Sequence, residues 1–352
     1  MSTSTSIEWT DATWNPTRGC SRVSEGCRHC YAETVAARFS GPGLAYEGLT
    51  RGGKWTGEVR LIEERLSDPL RWKTPRRIFV NSMSDLFHER VPDGWVMRCL
   101  SVMARTPQHT YQILTKRPER MRSFFARWAD LTGEDFNAFK DARGVEETLK
   151  AHPSPRGQLF ASMLEAMGEP PNGCAYPTFD WMGGMIRWPD VLPNVWLGVS
   201  VEDQATADAR IPLLLQTPAA VRFLSVEPLL ERVDLPHGLT GLVQWVIVGG
   251  ESGPGARPCH LSWIRRLRDQ CREDGLACFV KQVGTRAVYM PSDLSDAQFA
   301  ELDASEHGYD HGPVTPYLRD RKGGDIEEFP EDLRVREFPR LLLTPEDLEV
   351  GG

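Results

Sequence analysis

The sequence lacks any long apolar run and has no export signal at its N-terminus. No hydrophobic segment approaches the roughly 20 residues needed to cross a lipid bilayer, so we expect no membrane span. The first residues, M-S-T-S-T-S-I-E-W, contain neither a basic region nor an apolar core, so no secretion signal is predicted. Internal repeats and low-complexity tracts are also missing. These absences predict a cytoplasmic globular protein.

The chain also lacks an excess of positive charge. It has 41 Lys and Arg residues against 49 Asp and Glu residues, a formal net charge of -8. This balance excludes a protein that binds nucleic acid through its overall electrostatic field. A local basic groove is still compatible with it, from Lys116, Arg117, Arg120 and Arg122, or from Arg265, Arg266 and Arg268. Either group also fits a solvated helix face.

Cysteine is scarce, yet three of the eight cysteines stand within eleven residues, at Cys20, Cys27 and Cys30. Thiolates select soft metals, and a structural zinc ion needs four ligands whereas a cluster can leave one iron open. No fourth ligand with metal-site spacing follows nearby, and His29 is too close to its neighbours to join them on one tetrahedral ion. We therefore predict a three-thiolate 4Fe-4S cluster. Zinc completed by a distant ligand and three buried reduced thiols are the alternatives.

The remaining cysteines suggest no second metal site. Cys259, Cys271 and Cys278 are spread over a predicted helix and strand, so they match no tight metal-binding loop. Cys99 and Cys174 are isolated. A disulfide framework is not expected, because three clustered cysteines leave one over and the chain is long enough to build a core.

Short apolar runs alternate with amphipathic segments along most of the chain. Strands are predicted at 12–15, 77–81, 109–115, 195–201, 222–226, 243–248 and 278–283, and helices at 31–39, 91–105, 118–131, 205–216 and 262–274. In helix 31–39, Val35, Ala36 and Phe39 are predicted to face inward. This alternation indicates βαβ units and a parallel sheet. Residues 133–193 interrupt it and are predicted to be a lid or substrate module, and residues 287–352 an acidic C-terminal extension.

Polar residues follow each predicted strand. They are Ser82, Ser84 and Asp85; Thr115, Lys116 and Arg117; Ser200 and Glu202; Ser225 and Glu227; Gly249, Gly250, Glu251 and Ser252; and Lys281 and Gln282. Ligands of parallel α/β folds bind at the carboxyl ends of the strands. Because charges buried there need partners, a zwitterionic ligand fits this set.

Three cysteines between a first strand and a helix resemble the hallmark of the radical S-adenosylmethionine (SAM) superfamily. The usual first gap there has three residues and this chain has six, and His29 stands where an aromatic residue is common. The blocks W-N-P-T-R-G-C, N-S-M-S-D-L-F-H, L-T-K-R-P and V-G-G-E-S-G-P are similar to a phage and prophage family with a radical-SAM-like core, over about Ile7 to Pro339. The resemblance implies a partial or complete parallel (β/α) barrel of the TIM type with six to seven strands. Its halves would be residues 1–132 and 194–286.

The same resemblance implies a function and a set of site residues. The open iron of the cluster would bind SAM, whose reductive cleavage gives a 5'-deoxyadenosyl radical. The resemblance implies that Ser82, Ser84 and Asp85 hold the methionyl amine of SAM and that Gly249, Gly250 and Glu251 approach its ribose or adenine. The other predicted cofactor-binding residues are His29 and, from their places at strand ends, Lys116, Ser200, Glu202 and Glu227. Arg117 and Lys281 are the predicted substrate-binding residues. The substrate would be unknown, with nucleic acid or a nucleotide as candidates, and the electron donor a flavodoxin or ferredoxin. A phage-encoded protein would work in the host cytoplasm.

Two other functions are compatible with the residues. One is a zinc-bearing barrel that binds nucleic acid or a host protein without catalysis. The other is a barrel hydrolase that uses two of Asp85, Glu202, Glu227 and Glu251 as an acid-base pair.

Overall fold

A computed structural model of the 352-residue chain describes residue 5 and residues 7–129, 192–290 and 318–339. The predicted insertion at 133–193 and Cys174 lie outside the described residues, apart from the last two positions of the insertion. The chain divides into two compact units. The first unit comprises Met1–Val199 and Arg210–Val221, and the second comprises Ser200–Ala209 and Arg222–Gly352.

The fold is α/β with parallel strands, as predicted. The strands are β1 (Ala12–Trp14), β2 (Arg77–Val80), β3 (Thr110–Thr115), β4 (Val195–Val201), β5 (Val221–Val226), β6 (Trp245–Gly249) and β7 (Ala277–Gln282). Their hydrogen-bonded order is the same as their order along the chain. The described ladders β1·β2, β2·β3, β3·β4, β5·β6 and β6·β7 are all parallel.

Helices and short pairs connect these strands. The α-helices are α1 (Tyr31–Arg38), α2 (Glu63–Leu66), α3 (Asp93–Ala104), α4 (Pro118–Ala129), α5 (Gln204–Leu215) and α6 (Leu261–Asp274). Two-residue strands pair Thr17–Arg18 with Arg60–Leu61, Thr50–Arg51 with Lys54–Trp55, and Cys259–His260 with Ala287–Val288. Single 3₁₀ turns lie at Glu25–Cys27, Asp68–Arg71, Ile326–Glu328 and Glu331–Leu333.

The core of the first unit forms around β2, whose Ile78, Phe79 and Val80 are buried. Continuous apolar runs of this kind are typical of a strand that is covered on both faces. Trp14 of β1 packs edge-on against Tyr111 of β3, with ring centroids 5.9 Å apart. β1 pairs in parallel with β2 up to Trp14 and Val80, so the carboxyl ends of these two strands lie side by side, and the cysteine loop starts there.

The second unit is built on β5, β6 and β7. Trp245 of β6 packs against Phe279 of β7 and against Phe338, with ring centroids 6.1 and 5.4 Å apart. The segment around Arg336 lies antiparallel along β7. Val280 N donates to the carbonyl of Val335 and Glu337 N to that of Cys278, both at 2.8 Å. Part of the C-terminal region therefore covers an edge of β7.

One predicted core residue is wrong. Phe39 is 51% exposed, because α1 ends at Arg38 and Phe39 follows the helix with φ of -117°. Ala36 is fully buried, as predicted, and Val35 is half-buried. Among the described residues, no helix is long and apolar enough to cross a membrane.

Candidate functional site

The three cysteines lie on one loop between β1 and α1 in the first unit. Cys27 ends the 3₁₀ turn and Cys30 caps the N-terminus of α1. All three are free, half-buried thiols, and His29 between them is also half-buried. Burial raises the pKa of Cys20 to about 12; Asp85 and the other two thiols add to the rise, while Arg117 opposes it. Cys20 is therefore protonated at neutral pH in the metal-free protein.

The environment of Cys30 combines burial with helix N-terminal N–H groups. Burial raises its pKa, whereas the nearby backbone N–H groups of Glu33 and Ala32 oppose the rise. Such groups at a helix N-terminus favour a thiolate. A metal that displaces the thiol protons would therefore find partial charge compensation at this sulfur.

A single metal ion and an iron-sulfur cluster require different distances between the ligand sulfurs. Zinc with four ligands at about 2.3 Å brings its sulfurs to roughly 3.8 Å from one another. Within the described residues, no group of three or more His, Cys, Asp or Glu side chains is arranged to hold one ion. Zinc completed by a distant ligand therefore stays a prediction. In a cluster each thiolate binds a different iron, so this convergence is not required.

Asp85, which follows β2, is 6% exposed and already well bonded. Its Oδ1 accepts from Phe87 N at 2.9 Å and from Thr115 Oγ1 at 2.8 Å. Its Oδ2 accepts from Lys116 N at 3.2 Å and from Arg117 Nη1 at 3.0 Å. The carboxylate therefore ties the segment after β2 to the segment after β3, and a ligand ammonium would have to compete with these donors.

Arg117 is 5% exposed and uses all five of its N–H donors within the protein. Nε donates to Glu89 Oε1 at 2.8 Å, and Nη1 donates to Asp85 and to Cys20 Sγ, the latter at 3.9 Å. Nη2 donates to the carbonyl and the hydroxyl of Ser21, at 3.2 and 2.7 Å. Although burial opposes it, the pKa of Arg117 is raised by Asp85 and Cys20. These contacts favour a role in positioning the cysteine loop over the predicted role in binding substrate.

His88 completes the support of the loop, and sequence reasoning missed it. Its Nδ1 accepts from Arg90 N at 3.1 Å, so its proton lies on Nε2, which donates to Ser21 Oγ at 2.9 Å. Burial and the neighbouring Arg117 lower the pKa of His88, which keeps the ring neutral. The only signal for this residue was its place at the end of the N-S-M-S-D-L-F-H block.

Ser82 and Ser84 tie the same segment to the strand that leads into the loop. Ser82 Oγ lies 3.2 Å from Asn15 Nδ2, and Ser84 Oγ donates to the carbonyl of Thr17 at 3.0 Å. Tyr31 at the start of α1 donates its hydroxyl to the carbonyl of Ser82. The predicted cofactor-binding serines therefore lie next to the cysteine loop, with their hydroxyls in protein hydrogen bonds.

Two further residues near the loop were not predicted. Glu33 of α1 is buried and accepts from Arg22 Nε at 3.1 Å and from Trp55 N at 2.7 Å. Asn81, directly after β2, is buried, and neither atom of its side-chain amide has a hydrogen-bond partner. Sequence alone gave no signal for Glu33, and for Asn81 only its position at a strand end.

In the second unit, the predicted strand-end residues are paired with one another or with a nearby loop. Lys281 Nζ donates to Glu227 Oε1 at 2.6 Å. Glu251 is buried and accepts from the backbone N and from Nε of Arg257 at 2.9 and 3.0 Å. The other predicted residues with polar side chains that lie buried here are Ser200, Glu202, Ser225 and Gln282.

Gly250 has a structural reason to be glycine. A Cβ at this position would lie 2.3 Å from the carbonyl oxygen of Val283. Its N–H donates to the Gln282 carbonyl at 3.0 Å and its carbonyl accepts from Gln282 Nε2 at 2.6 Å. Both backbone groups of Gly250 are engaged, so this glycine serves the close approach of two segments.

The basic residues of the two predicted groups are also engaged. Arg265 and Arg266 of α6 bond the carboxylates of Asp332 and Asp234, at 2.8 and 2.6 Å. They line an open depression of about 510 Å³ in the second unit. Arg120 bonds Asp93 at 2.8 Å. Paired guanidinium groups favour the solvated-face interpretation of these groups over a nucleic-acid groove.

A family profile matches most of the chain. The profile of a family described as "Protein of unknown function (DUF5131)" matches residues 4–311 of the chain. No curated protein and no solved structure matches it.

Proposed function

We propose that this chain, which belongs to the DUF5131 family of proteins of unknown function, holds a 4Fe-4S cluster on Cys20, Cys27 and Cys30 and acts as a radical SAM-type enzyme. One observation supports the proposal best. Three free thiols lie on one loop, and the buried Arg117, which is paired with Asp85, holds that loop in place. The proposal includes a barrel of the TIM type and a lid formed by residues 133–193.

The loop residues fit such a group chemically. Cys20 has a cationic neighbour in Arg117 Nη1 at 3.9 Å, and Cys27 has a hydroxyl neighbour in Ser24 Oγ at 3.8 Å. Hydrogen bonds to cluster sulfurs stabilise the ligating thiolates and adjust the reduction potential. The buried, unpartnered amide of Asn81 at the same strand ends offers one donor and one acceptor to a ligand.

The bound cluster and SAM would supply one-electron cleavage of the sulfonium bond and hydrogen abstraction from a substrate. The protein residues would do three other things. Arg117, Asp85 and Ser21 hold the loop in place, and the thiols give up their protons when they bind metal. The buried strand ends around Asn81 keep water from the ligand.

An anaerobic reconstitution tests the proposal. We expect about four irons per chain and release of 5'-deoxyadenosine from SAM when a reductant is added. The double replacement of Cys27 and Cys30 by alanine should abolish both the iron binding and the release of 5'-deoxyadenosine. The matched control replaces Cys271 and Cys278, buried thiols of the second unit, and should keep the iron.

Other results would favour another function. A colourless protein with one zinc per chain would contradict the proposal and support the zinc-bearing binding protein. Activity that survives chelators and air would support the hydrolase.

A further inference from the structure

The stretch 18–60, which contains the cysteine loop, differs in charge from the rest of the chain. It holds seven Lys and Arg residues against four Asp and Glu residues, in a chain with a formal net charge of -8. Each of its four carboxylates has a partner: Glu25 pairs with Arg28, Glu33 with Arg22, Glu58 with Arg90, and Glu47 accepts from Gly43 N at 2.7 Å. The stretch therefore keeps an excess of positive charge.

A hairpin in this stretch places two cations opposite each other. Arg51 and Lys54 are cross-strand partners, and Gly52 and Gly53 form the turn between them with φ of 57° and 75°. Side chains directly opposite each other leave a hairpin on the same face, about 5 Å apart at Cβ, and like charges there are destabilising. Both residues are exposed, and neither bonds a carboxylate within the described part of the chain. A bound anion would remove this repulsion.

Hydrogen bonds hold this hairpin against α1 and the cysteine loop. Trp55 N donates to Glu33 Oε1 of α1 at 2.7 Å, and Arg22 Nε of the loop donates to the same oxygen at 3.1 Å. Glu33 lies three residues after Cys30. The two hairpin cations, the cysteine loop and the first turn of α1 therefore belong to one connected surface.

Exposed aromatic rings lie on the same surface. Tyr31 at the start of α1 is 54% exposed, and Phe39 directly after its end is 51% exposed. Tyr46 N donates to the carbonyl of Phe39 at 3.0 Å, and the ring of Tyr46 lies 6.4 Å from that of Trp55 in the hairpin. Arg38, next to Phe39, is also exposed. Proteins bind single strands by stacking bases on such rings and pairing phosphates with cations.

We propose that this hairpin surface, made of Tyr31, Arg38, Phe39, Arg51 and Lys54, binds single-stranded nucleic acid. The inference rests on the proposed function where it names nucleic acid as the substrate class of the adjacent cysteine loop, and the binding itself needs no cluster. An acidic protein would use the cations but offer no planar groups to the two rings. In a duplex the bases stack on one another, so a single strand fits the rings better.

Fluorescence anisotropy of a labelled thymidine oligonucleotide at low salt tests the binding. Arg51→Ala with Lys54→Ala should weaken it about tenfold and reduce the slope of log affinity against log salt by about 1.4, since two phosphate contacts are lost. The control, Arg232→Ala with Arg272→Ala, removes the same charge from exposed positions in the second unit and should bind like the wild type. Without ligand, the hairpin variant should melt no lower than the wild type, because a like-charge pair is removed.

Phe39→Leu keeps an exposed apolar side chain but has no ring. It should weaken binding about fivefold or more, because base stacking is lost. Full affinity of this variant would overturn the base-stacking part of the proposal, and equal losses in the two double variants would overturn the hairpin surface as the binding site. Competition by poly-L-glutamate as strong as that by unlabelled oligonucleotide would assign the surface to an acidic protein instead.

The same preparation separates this inference from the proposed function. A wild type with iron and 5'-deoxyadenosine release but no affinity for the oligonucleotide would overturn the inference and leave the proposed function standing. A wild type that binds the oligonucleotide but holds no iron after reconstitution would overturn the proposed function and leave the binding surface standing.

Discussion

At the scale of single residues, the cysteine loop depends on one buried guanidinium. Arg117 links Cys20 and Ser21 of the loop to Asp85 and Glu89, and no N–H of its side chain is left over. Arginine suits this place because its five donors are fixed in a plane, whereas lysine offers a single point charge. Arg117 therefore links the cysteine loop to the strand ends, and its role in binding substrate stays a prediction.

Arg117→Lys should destabilise the protein by about 3 to 5 kcal/mol, because it breaks a buried charge network while leaving Asp85 only partly compensated. The unfolding free energy in urea and the iron content after anaerobic reconstitution would measure the effect. The control is Arg122→Lys, since Arg122 bonds Gln216 at the surface, and we expect a change within about 0.5 kcal/mol. If the two variants lose the same unfolding free energy and both retain iron, Arg117 does not position the cysteine loop.

Residue type and strand position were enough to place Asp85 and Arg117 near the site, but not to assign their roles. Arg117 and Cys20 are separated by 97 positions, and Arg117 and Asp85 by 32. Which donors saturate which acceptor depends on such distant pairs, and no local pattern encodes them. Asn81 was missed for a similar reason, because an amide is conspicuous only when its partners are known to be absent.

At the scale of elements, the apolar runs and amphipathic stretches predicted the main strands and helices well. β4 was predicted at both of its bounds, and β6 begins at Trp245 rather than at the predicted Val243. Two-residue pairs such as Thr17–Arg18 with Arg60–Leu61 were not predicted. They have no periodicity, and they form only because the chain returns to the start of the cysteine loop.

Gly19 shows how tightly this short pair holds the loop. Its φ is 92°, and a Cβ there would lie 2.1 Å from the carbonyl oxygen of Glu58. Gly48 has a similar φ of 74° with open space around it. Gly19 thus needs to be glycine because of its positive φ and because of the close Glu58 carbonyl, whereas Gly48 needs to be glycine only because of its positive φ.

We expect Gly48→Ala to cost about 1 to 2 kcal/mol, the strain of a left-handed alanine. Gly19→Ala should cost several kcal/mol in total, since the clash moves either the loop or the Glu58 backbone. Urea unfolding of the metal-free proteins gives the two values, and the reaction rate of Cys20 with a thiol reagent should rise only in the Gly19 variant. Equal unfolding free energies for the two variants would show that the backbone at Gly19 can move at little cost in free energy.

At the scale of the whole molecule, the predicted site residues fall into two sets, one in each compact unit. The first unit holds the cysteine loop with Asp85 and Arg117, and the second holds the Glu227–Lys281 and Glu251–Arg257 pairs. The sequence showed that all these residues follow strands. It did not show the division, because the boundary cuts through β4, α5 and the first residue of β5, where the alternating pattern continues without a break.

Metal binding by the whole protein should depend on pH in a direction that the thiol pKa values set. Burial raises the pKa of Cys20 to about 12 and also raises that of Cys30, so both are protonated in the metal-free protein at neutral pH. The pKa of a cysteine in an unfolded chain is about 8.5. The raised pKa therefore stabilises the metal-free fold fully below about pH 8.5, and this contribution is lost as pH rises toward 12.

Cluster ligation requires thiolates, so loading should release protons, and its apparent affinity should rise by roughly tenfold per pH unit for each proton released. We expect the melting temperature of the iron-loaded protein to exceed that of the metal-free protein, by a margin that grows from pH 6.5 to 8.5. Anaerobic thermal melts and proton release in weakly buffered solution would measure both. The Cys271 and Cys278 double variant should keep this dependence, since those thiols lie in the second unit. A margin that shrinks or stays constant with rising pH would mean that the loop thiols do not bind the metal as thiolates.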